Sequence, residues 1–406
     1  MPALAAASSL AARERRRLPV GRLAALARRP ASCRRSRAAH RPPRRAGVGF
    51  TALLAGLALP LQAQNPRRVE ILPAAAGLEV GRTLQLSAAV LGSRRDTLAV
   101  PVRWVSLDTA KARVNAAGLV LARDTGTVAI AASAGRARGT VRLTLRPAVL
   151  VGAGDIGACD LPGARKTGEL LDHITGTVFT AGDNAYPNGT RGQFTTCYDP
   201  AWGRHRARTR PTAGNHDYRM PGAAPYFAYF GAAAGEPARG FYAYNLGGWR
   251  VYALNSNVAA GAGSEQETWL RGDLASHPRR CTLAYWHHAR FSSGPHGTST
   301  RSAALFRALY DAGAEVVAVG HDHDYERFAP QAPDGTPDAA RGIREFVVGT
   351  GGGGLYDFGR VERGSEFRYN AGWGVLELTL FPRGYTWRFL GVDGARVIDS
   401  GSGACH

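Results

Sequence analysis

The chain has 406 residues, of which 45% are hydrophobic and 20% are charged, and its formal net charge at pH 7 is +20. This composition is typical of a folded protein rather than a disordered one, and the length is sufficient for two domains. Thirteen arginines and one acidic residue lie within residues 1–47, so most of the positive charge belongs to an N-terminal leader. No aromatic residue interrupts those arginines, so we expect no nucleic-acid-binding module.

An apolar segment follows the arginines from Val48 to Leu61 and ends in small residues near Ala63. Positive charge, a short apolar segment and a small residue at its end are the pattern of a secretory signal peptide. The segment is too short to favour a transmembrane span, and no cysteine follows the expected cleavage site. We therefore predict that residues 1–64 are a leader and signal peptide, and that the protein is secreted or periplasmic without a membrane anchor.

Four cysteines remain after the leader: Cys159, Cys197, Cys281 and Cys405. An even number of cysteines in an exported protein predicts disulfides, and four cysteines allow three pairings. We favour the pairs Cys159–Cys197 and Cys281–Cys405. A zinc–thiolate site is the alternative, but the chain has no Cys-x-x-Cys pair.

Residues 66–147 show short stretches in which apolar and polar residues alternate, separated by turn residues. Several short strands at regular spacing predict a small all-β sandwich. The segments Val80–Leu86, Trp104–Asp108 and Gly118–Val120 resemble bacterial immunoglobulin-like domains. No acid–base or metal-binding cluster falls here, so we expect a spacer or a module that contacts the cell surface or the substrate.

Residues 148–406 alternate short apolar runs with helical patterns, which predicts an α/β domain with mixed sheets. A buried strand opens the domain near Leu150, and another covers 315–319. Residues 241–254 read as a hairpin, Ser264 as a helix cap, and 328–341 as a loop rich in Pro, Asp and Gly.

Five polar clusters each follow a predicted strand, where α/β sheets place their functional sites. Carboxylates suit hard cations and imidazoles suit borderline ones, so the two together suit iron, manganese or zinc. The clusters are Gly154-Asp155, Gly182-Asp183 with Tyr186, Gly214-Asn215-His216, Trp286-His287-His288, and Gly320-His321-Asp322-His323.

These motifs resemble, in order and spacing, the calcineurin-like metallophosphoesterase superfamily, and specifically the purple acid phosphatases. The most specific marks are Gly182-Asp183 with Tyr186, and the segment Gly320–Arg327. The resemblance implies a four-layer α/β/β/α sandwich, preceded here by the small immunoglobulin-like sandwich. It also implies two metal ions: Fe(III) held by Asp155, Asp183, Tyr186 and His323, and a divalent Fe, Zn or Mn held by Asp183, Asn215, His287 and His321.

The same resemblance implies that His216 and His296 protonate the leaving group, and that His288 is the alternative to His287 as a ligand. The implied reaction is hydrolysis of a small phosphate monoester by hydroxide held on the metals. Two alternatives remain open. They are a phosphodiesterase on the same scaffold and an inactive surface-binding protein.

Overall fold

The computed structural model describes residues 65–406. The predicted leader and signal peptide, residues 1–64, lie outside the described residues. Among residues 65–406, no helix combines the length and the apolar character needed to cross a membrane.

Residues 68–146 form nine strands around a separate hydrophobic core, as the alternating pattern predicts. Along the last of these strands Val141, Leu143 and Leu145 are buried and their neighbours are exposed. The strands are β1 Arg68–Leu72, β2 Ala75–Glu79, β3 Thr83–Gln85, β4 Ser87–Leu91, β5 Arg103–Ser106, β6 Ala112–Val114, β7 Leu119–Ala122, β8 Gly126–Ala134 and β9 Ala137–Arg146. One sheet has the order β2-β9-β8-β5, a second has the order β3-β7-β6, and β1 pairs with β4.

Residues 148–404 form two larger sheets. Their strands are β10 Ala148–Ala153, β11 Thr177–Ala181, β12 Thr209–Thr212, β13 Tyr242–Leu246, β14 Trp249–Ala253, β15 Cys281–His288, β16 Val316–Gly320, β17 Tyr325–Phe328, β18 Arg344–Val348, β19 Ser365–Tyr369, β20 Gly374–Phe381, β21 Gly384–Gly391 and β22 Val397–Ala404. The first sheet has the order β12-β11-β10-β20-β21-β22, and the second has the order β13-β14-β15-β16-β18-β17-β19.

The helices cover the outer faces of the two sheets. They are α1 Gly163–Asp172, α2 Arg191–Gln193, α3 Asp199–Trp202, α4 Ala224–Phe230, α5 Glu265–Ser276 and α6 Ala303–Asp311. As predicted, the Ser264 side chain caps α5 by accepting the backbone N–H of Glu267. Leu171 of α1 packs in the core of the first sheet, and Leu305 of α6 packs behind the second. The layers are therefore helix, sheet, sheet and helix, which confirms the predicted fold class.

The two sheets face each other across one shared core. The ring centroids of Phe179 in β11 and Tyr285 in β15 lie 5.3 Å apart across this interface. Strands β10, β11 and β12 run parallel, as do β14, β15, β16 and β18. The carboxyl ends of these strands therefore bring the loops that carry the polar clusters to one edge.

Two disulfides join Cys159 to Cys197 and Cys281 to Cys405, which confirms the predicted pairing. Cys281 begins β15, the strand of the second sheet that ends in the paired histidines. Cys405 follows β22, which is an edge strand of the first sheet. The second bridge therefore fixes the C-terminus to a strand that leads into the polar edge.

Replacing both cysteines of one bridge by alanine should destabilise the protein more for Cys281–Cys405 than for Cys159–Cys197. The paired residues are 124 positions apart in Cys281–Cys405 and 38 positions apart in Cys159–Cys197. A cross-link that closes a longer loop removes more entropy from the unfolded chain, and the expected difference in unfolding free energy is about 1 kcal/mol. Urea unfolding of both double variants measures it, and a larger loss for Cys159–Cys197 would contradict the expectation.

Candidate metal centre

Three residues at the carboxyl ends of β10, β11 and β16 have left-handed backbone conformations. The φ angles are 62° for Asp155, 50° for Asp183 and 75° for His321. This conformation costs an L-residue roughly 1–2 kcal/mol, and it persists where the surrounding structure enforces it, typically at functional sites. The sharp turns aim all three side chains towards the space between the sheets.

Two glycines of the motifs, Gly214 and Gly320, leave room for an acidic side chain from a neighbouring loop. A Cβ atom on Gly320 would lie 2.5 Å from Asp155 Oδ2, and one on Gly214 would lie 2.0 Å from Asp183 Oδ1. Both distances are well inside van der Waals contact. Glycine is therefore required at positions 214 and 320 by the close approach of the acidic side chains.

Each carboxylate uses one oxygen to accept a backbone N–H from another loop. The His321 N–H donates to Asp155 Oδ2 at 2.8 Å, and the His216 N–H donates to Asp183 Oδ1 at 2.7 Å. The other oxygen of each carboxylate faces the interior of the site. These bonds cross-link the loops and orient both acids.

The first group of donor atoms surrounds the hydroxyl of Tyr186. This hydroxyl lies 2.7 Å from Asp155 Oδ1, 3.1 Å from Asp183 Oδ2 and 3.0 Å from His323 Nε2. All four side chains are predicted ligands of one ion, and their donor atoms converge.

The second group surrounds Nε2 of His287. This nitrogen lies 2.8 Å from Asn215 Oδ1, 3.1 Å from His321 Nδ1 and 3.4 Å from Asp183 Oδ2. The Oδ2 atom of Asp183 therefore contacts both groups. The structure brings together all seven side chains that the sequence singled out as ligands.

The tautomers of two histidines are set by backbone carbonyls. His287 Nδ1 donates to the Ala181 carbonyl at 2.8 Å, and His323 Nδ1 donates to the Gly354 carbonyl at 2.6 Å. In the neutral imidazole the Nε2 lone pair then points into the site. Metal-binding histidines are usually oriented in this way.

The electrostatics of the site favour a bound cation over ion pairs among its own side chains. Burial raises the pKa of Asp183, but the neighbouring His287 and His216 charges hold it below its usual value. Burial lowers the pKa of His287, but the Asp183 carboxylate raises it, and the resulting value is about 9. Burial and the positive charge of His287 lower the pKa of His321 to about 3. Among the described residues, no Lys or Arg forms an ion pair with Asp155 or Asp183. The donor set therefore fits bound cations.

His288 lies outside both donor groups. Its Nδ1 atom is 2.8 Å from the Ser256 hydroxyl, and burial lowers the pKa of its imidazole to about 2. The buried cluster of Asp155, Asp183 and His287 has ligand atoms within 4.8 Å of one another. The geometry therefore favours His287 over His288 as the metal-binding side chain.

The two histidines predicted to act as acids lie at the rim of the donor groups. His216 donates from Nδ1 to the Pro187 carbonyl at 2.6 Å, and its Nε2 lies 3.8 Å from Asp183 Oδ2. The ring centroid of His296 is 4.0 Å from that of His321. Both imidazoles are near enough to the site to reach a molecule bound there.

Two buried carboxylates near the site were not predicted, and one of them binds His296. Asp322 accepts the backbone N–H of His296 and its Nδ1–H, both at 2.9 Å, and the Ser292 hydroxyl at 2.5 Å. Asp217 accepts the backbone N–H groups of Gly214 and Asn184. Each carboxylate directly follows a histidine of the motifs in the sequence, and this adjacency is the signal that could have identified it.

A pocket of about 650 Å³ opens beside the first donor group. Its lining includes Tyr186, His216 and His323, together with the apolar residues Leu161, Pro187 and Tyr356. The Tyr356 ring stacks on His323 with centroids 4.0 Å apart. The pocket can hold the organic part of a molecule whose polar group reaches the donor atoms.

Residues 150–325 match the family model of the calcineurin-like phosphoesterases. This part of the chain is similar to the calcineurin-like phosphoesterases, and we call residues 148–406 the phosphoesterase domain. Residues 67–145 match the bacterial Ig-like domain (group 2), so both resemblances seen in the sequence motifs are confirmed.

Among curated relatives of the phosphoesterase domain, purple acid phosphatase 15 of Arabidopsis thaliana is 30% identical over 107 residues, which cover 25% of this chain and 20% of that protein. The match thus spans only a small part of the relative. The structure of purple acid phosphatase PPD1 from yellow lupin has a TM-score of 0.56 at 15% identity, covering 84% of this chain and 74% of that one. GAP50, described as the anchor in the inner membrane complex of Plasmodium, has a TM-score of 0.50 at 14% identity, covering 64% of this chain and 90% of that one. At these identities the likeness shows the fold alone.

Replacing Gly320 by alanine should weaken metal binding by at least about 10-fold, because the new methyl group displaces the Asp155 carboxylate and the loop that carries His321. Isothermal titration of the metal-free protein with Zn²⁺ or Mn²⁺ measures the affinity. The matched control is Gly272→Ala in α5, where a Cβ meets nothing within 4 Å. The control should bind metal normally and unfold at the same or a higher temperature. Equal affinities for the two variants would refute the packing argument.

Proposed function

We propose that residues 148–406 hydrolyse phosphate monoesters at a centre of two metal ions. The observation that carries this proposal is the division of the seven side chains into two donor groups that share Asp183 Oδ2. A carboxylate oxygen shared in this way suits two cations about 3.5–4 Å apart, the arrangement used in phosphoryl hydrolysis. The match to the phosphoesterase family supports the same reaction class.

We assign the first group to Fe(III), because a phenolate from Tyr186 and the Asp155 carboxylate are hard donors. The second group, with Asn215, His287 and His321, suits a divalent Fe, Zn or Mn ion. When bound, the two cations would supply charge stabilisation for the phosphoryl oxygens and an activated water.

The chain's own residues supply the proton that the reaction requires. The ester P–O bond breaks as the oxygen of water bonds to phosphorus, and the leaving oxygen takes a proton. His296 can hold this proton on Nε2, because its Nδ1–H donates to the buried Asp322 carboxylate. The Nδ1–H of His216 donates to the Pro187 carbonyl, so His216 can likewise hold a proton on Nε2. Such general acids contribute about 10²–10⁴-fold to a rate.

We further propose that the protein acts outside the cytoplasm, in the secreted or periplasmic fraction. Two disulfides fit an oxidising compartment, and the pattern of residues 1–64 fits a signal peptide. The substrate would be a small phosphate ester whose organic group enters the pocket beside Tyr356. The complete ligand set argues against an inactive surface-binding protein.

Purified residues 65–406, supplied with iron and then zinc or manganese, should hydrolyse an aryl phosphate monoester faster than the matched diester. Asp183→Ala removes the shared oxygen and should lower the rate by more than about 100-fold. Tyr186→Phe should abolish a visible absorption band of the iron-loaded protein, because the phenolate donor is lost. Turnover of the diester alone would identify a phosphodiesterase. Absence of both turnover and metal binding would refute the proposal that the protein is an enzyme.

The role of His296 predicts a dependence on the leaving group. His296→Ala should slow hydrolysis of an alkyl phosphate by about 100-fold, because a poor leaving group needs protonation. It should change hydrolysis of dinitrophenyl phosphate little. Asp322→Asn should also slow hydrolysis of the alkyl phosphate, but by a smaller factor, since the imidazole of His296 remains. Rates for both substrates, with metal content measured for each variant, test this, and equal slowing of both substrates would refute it.

A further inference from the structure

Positive charge is divided unevenly between the two described domains. Residues 66–147 contain thirteen Arg and Lys against five Asp and Glu, whereas residues 148–406 contain twenty-five of each. The phosphoesterase domain is therefore formally neutral, and the entire positive excess outside the leader belongs to the small β-sandwich. A domain of this size has no need of that charge for folding, because like charges repel in the compact state.

One outer sheet face of the sandwich carries a row of arginines. Along β9 the exposed residues include Arg138, Arg142 and Arg146 on the side opposite the buried core. Arg138 pairs with Ser133 of β8, and Ser133 pairs with Arg103 of β5. Since directly opposed residues of an antiparallel sheet share a face, Arg103 lies on the same side. We call the side chains of Arg103, Arg138, Arg142 and Arg146 the arginine face.

The arginine face is not neutralised by acidic neighbours in the part of the chain that the structure describes. The ion pairs of the sandwich join Arg68 to Glu70, Arg82 to Glu79, and Lys111 to Asp108, and none includes a residue of this face. Glu79 of β2 is opposite Arg146 in the register but is paired with Arg82. Four exposed guanidinium groups are therefore available to an external anion.

The opposite sheet of the sandwich differs. Strands β3, β7 and β6 place one arginine, Arg113, on their exposed side, beside Leu119 and Leu121. A generally basic composition would distribute arginines over both faces. Their concentration on the sheet of β9 indicates a directional surface.

The spacing of the arginines indicates the shape of the partner. Arginines four residues apart on a strand are separated by about 13 Å, so the three on β9 extend over about 27 Å. A single small anion cannot reach groups so far apart, whereas an extended polymer with repeated charges can. Between the arginines of β9 lie the short side chains of Thr140 and Thr144, which leave the sheet surface flat.

The chemistry of the face favours phosphate groups over nucleobases. The planar guanidinium of arginine binds phosphate through two parallel hydrogen bonds. The strand residues beside the arginines are Thr, Ala, Ser and Val, and this described surface offers no aromatic ring on which a base could stack. We propose that the arginine face binds a linear polyphosphate chain that carries neither nucleobases nor lipid, and that it does so independently of the phosphoesterase site.

The test uses residues 65–406, so that the arginines of the leader do not contribute, and fluorescent inorganic polyphosphate as the probe. Binding should weaken with salt, and a log–log slope of about −3 is expected for four phosphate contacts. The variant Arg138→Glu/Arg142→Glu should lose at least about 10-fold in affinity. The matched control Arg113→Glu/Arg123→Glu makes the same change of charge elsewhere on the sandwich and should lose less than about 2-fold.

Circular dichroism and a small aryl phosphate assay accompany both variants. Unchanged folding and unchanged turnover with lost polyphosphate binding would support a separate binding face. Equal loss in the two variants would show that only net charge matters and would overturn the proposal. Tighter binding to single-stranded DNA of equal charge, or to anionic lipid vesicles, would also overturn it. Failure of the phosphatase assay in all proteins would count against the proposed reaction and leave the binding result to be judged alone.

Discussion

The shared Oδ2 atom of Asp183 imposes the strictest geometric requirement on this fold. It lies 3.1 Å from the Tyr186 hydroxyl and 3.4 Å from His287 Nε2, so side chains from both sheets must meet at one buried oxygen. A buried carboxylate is costly unless it is paired and hydrogen-bonded. The His216 N–H stabilises its other oxygen, and the left-handed turn at Asp183 aims the pair of oxygens inward.

The surrounding architecture makes this arrangement rigid. Parallel strands end at the same edge, and the loops that follow them are cross-linked by carboxylate–amide bonds such as that from the Asn184 N–H to Asp217. The shared core behind the edge contains large buried rings, including Phe179 and Tyr285, which fix the distance between the sheets. Sites placed on strand ends and supported by such contacts hold their donors more accurately than sites on free loops.

The two described domains have different electrostatic characters, which suits a division of tasks. A neutral phosphoesterase domain can bind and release small charged molecules without a strong field of its own. A cationic β-sandwich held in the same chain can keep the protein near a polymer, and tethering of this kind raises the local concentration of one site near another without changing either site. The bacterial Ig-like domain would then contribute location rather than catalysis.

The sequence by itself determined the α/β fold class and the polar clusters that hold the candidate ligands, because glycine-flanked polar clusters at strand ends and alternating apolar residues are local patterns. It left three disulfide pairings possible, and the tertiary structure decided between them. The tertiary structure decided which neighbours act together. Between Tyr285 and His288 the pairing of β15 with β16 shifts register, and such an irregularity alters which side chains face the site. The position of His287 in the donor group, and of His288 outside it, therefore depends on pairing with another strand. The contact of Asp322 with His296 likewise joins residues 26 positions apart, and no local pattern encodes that distance.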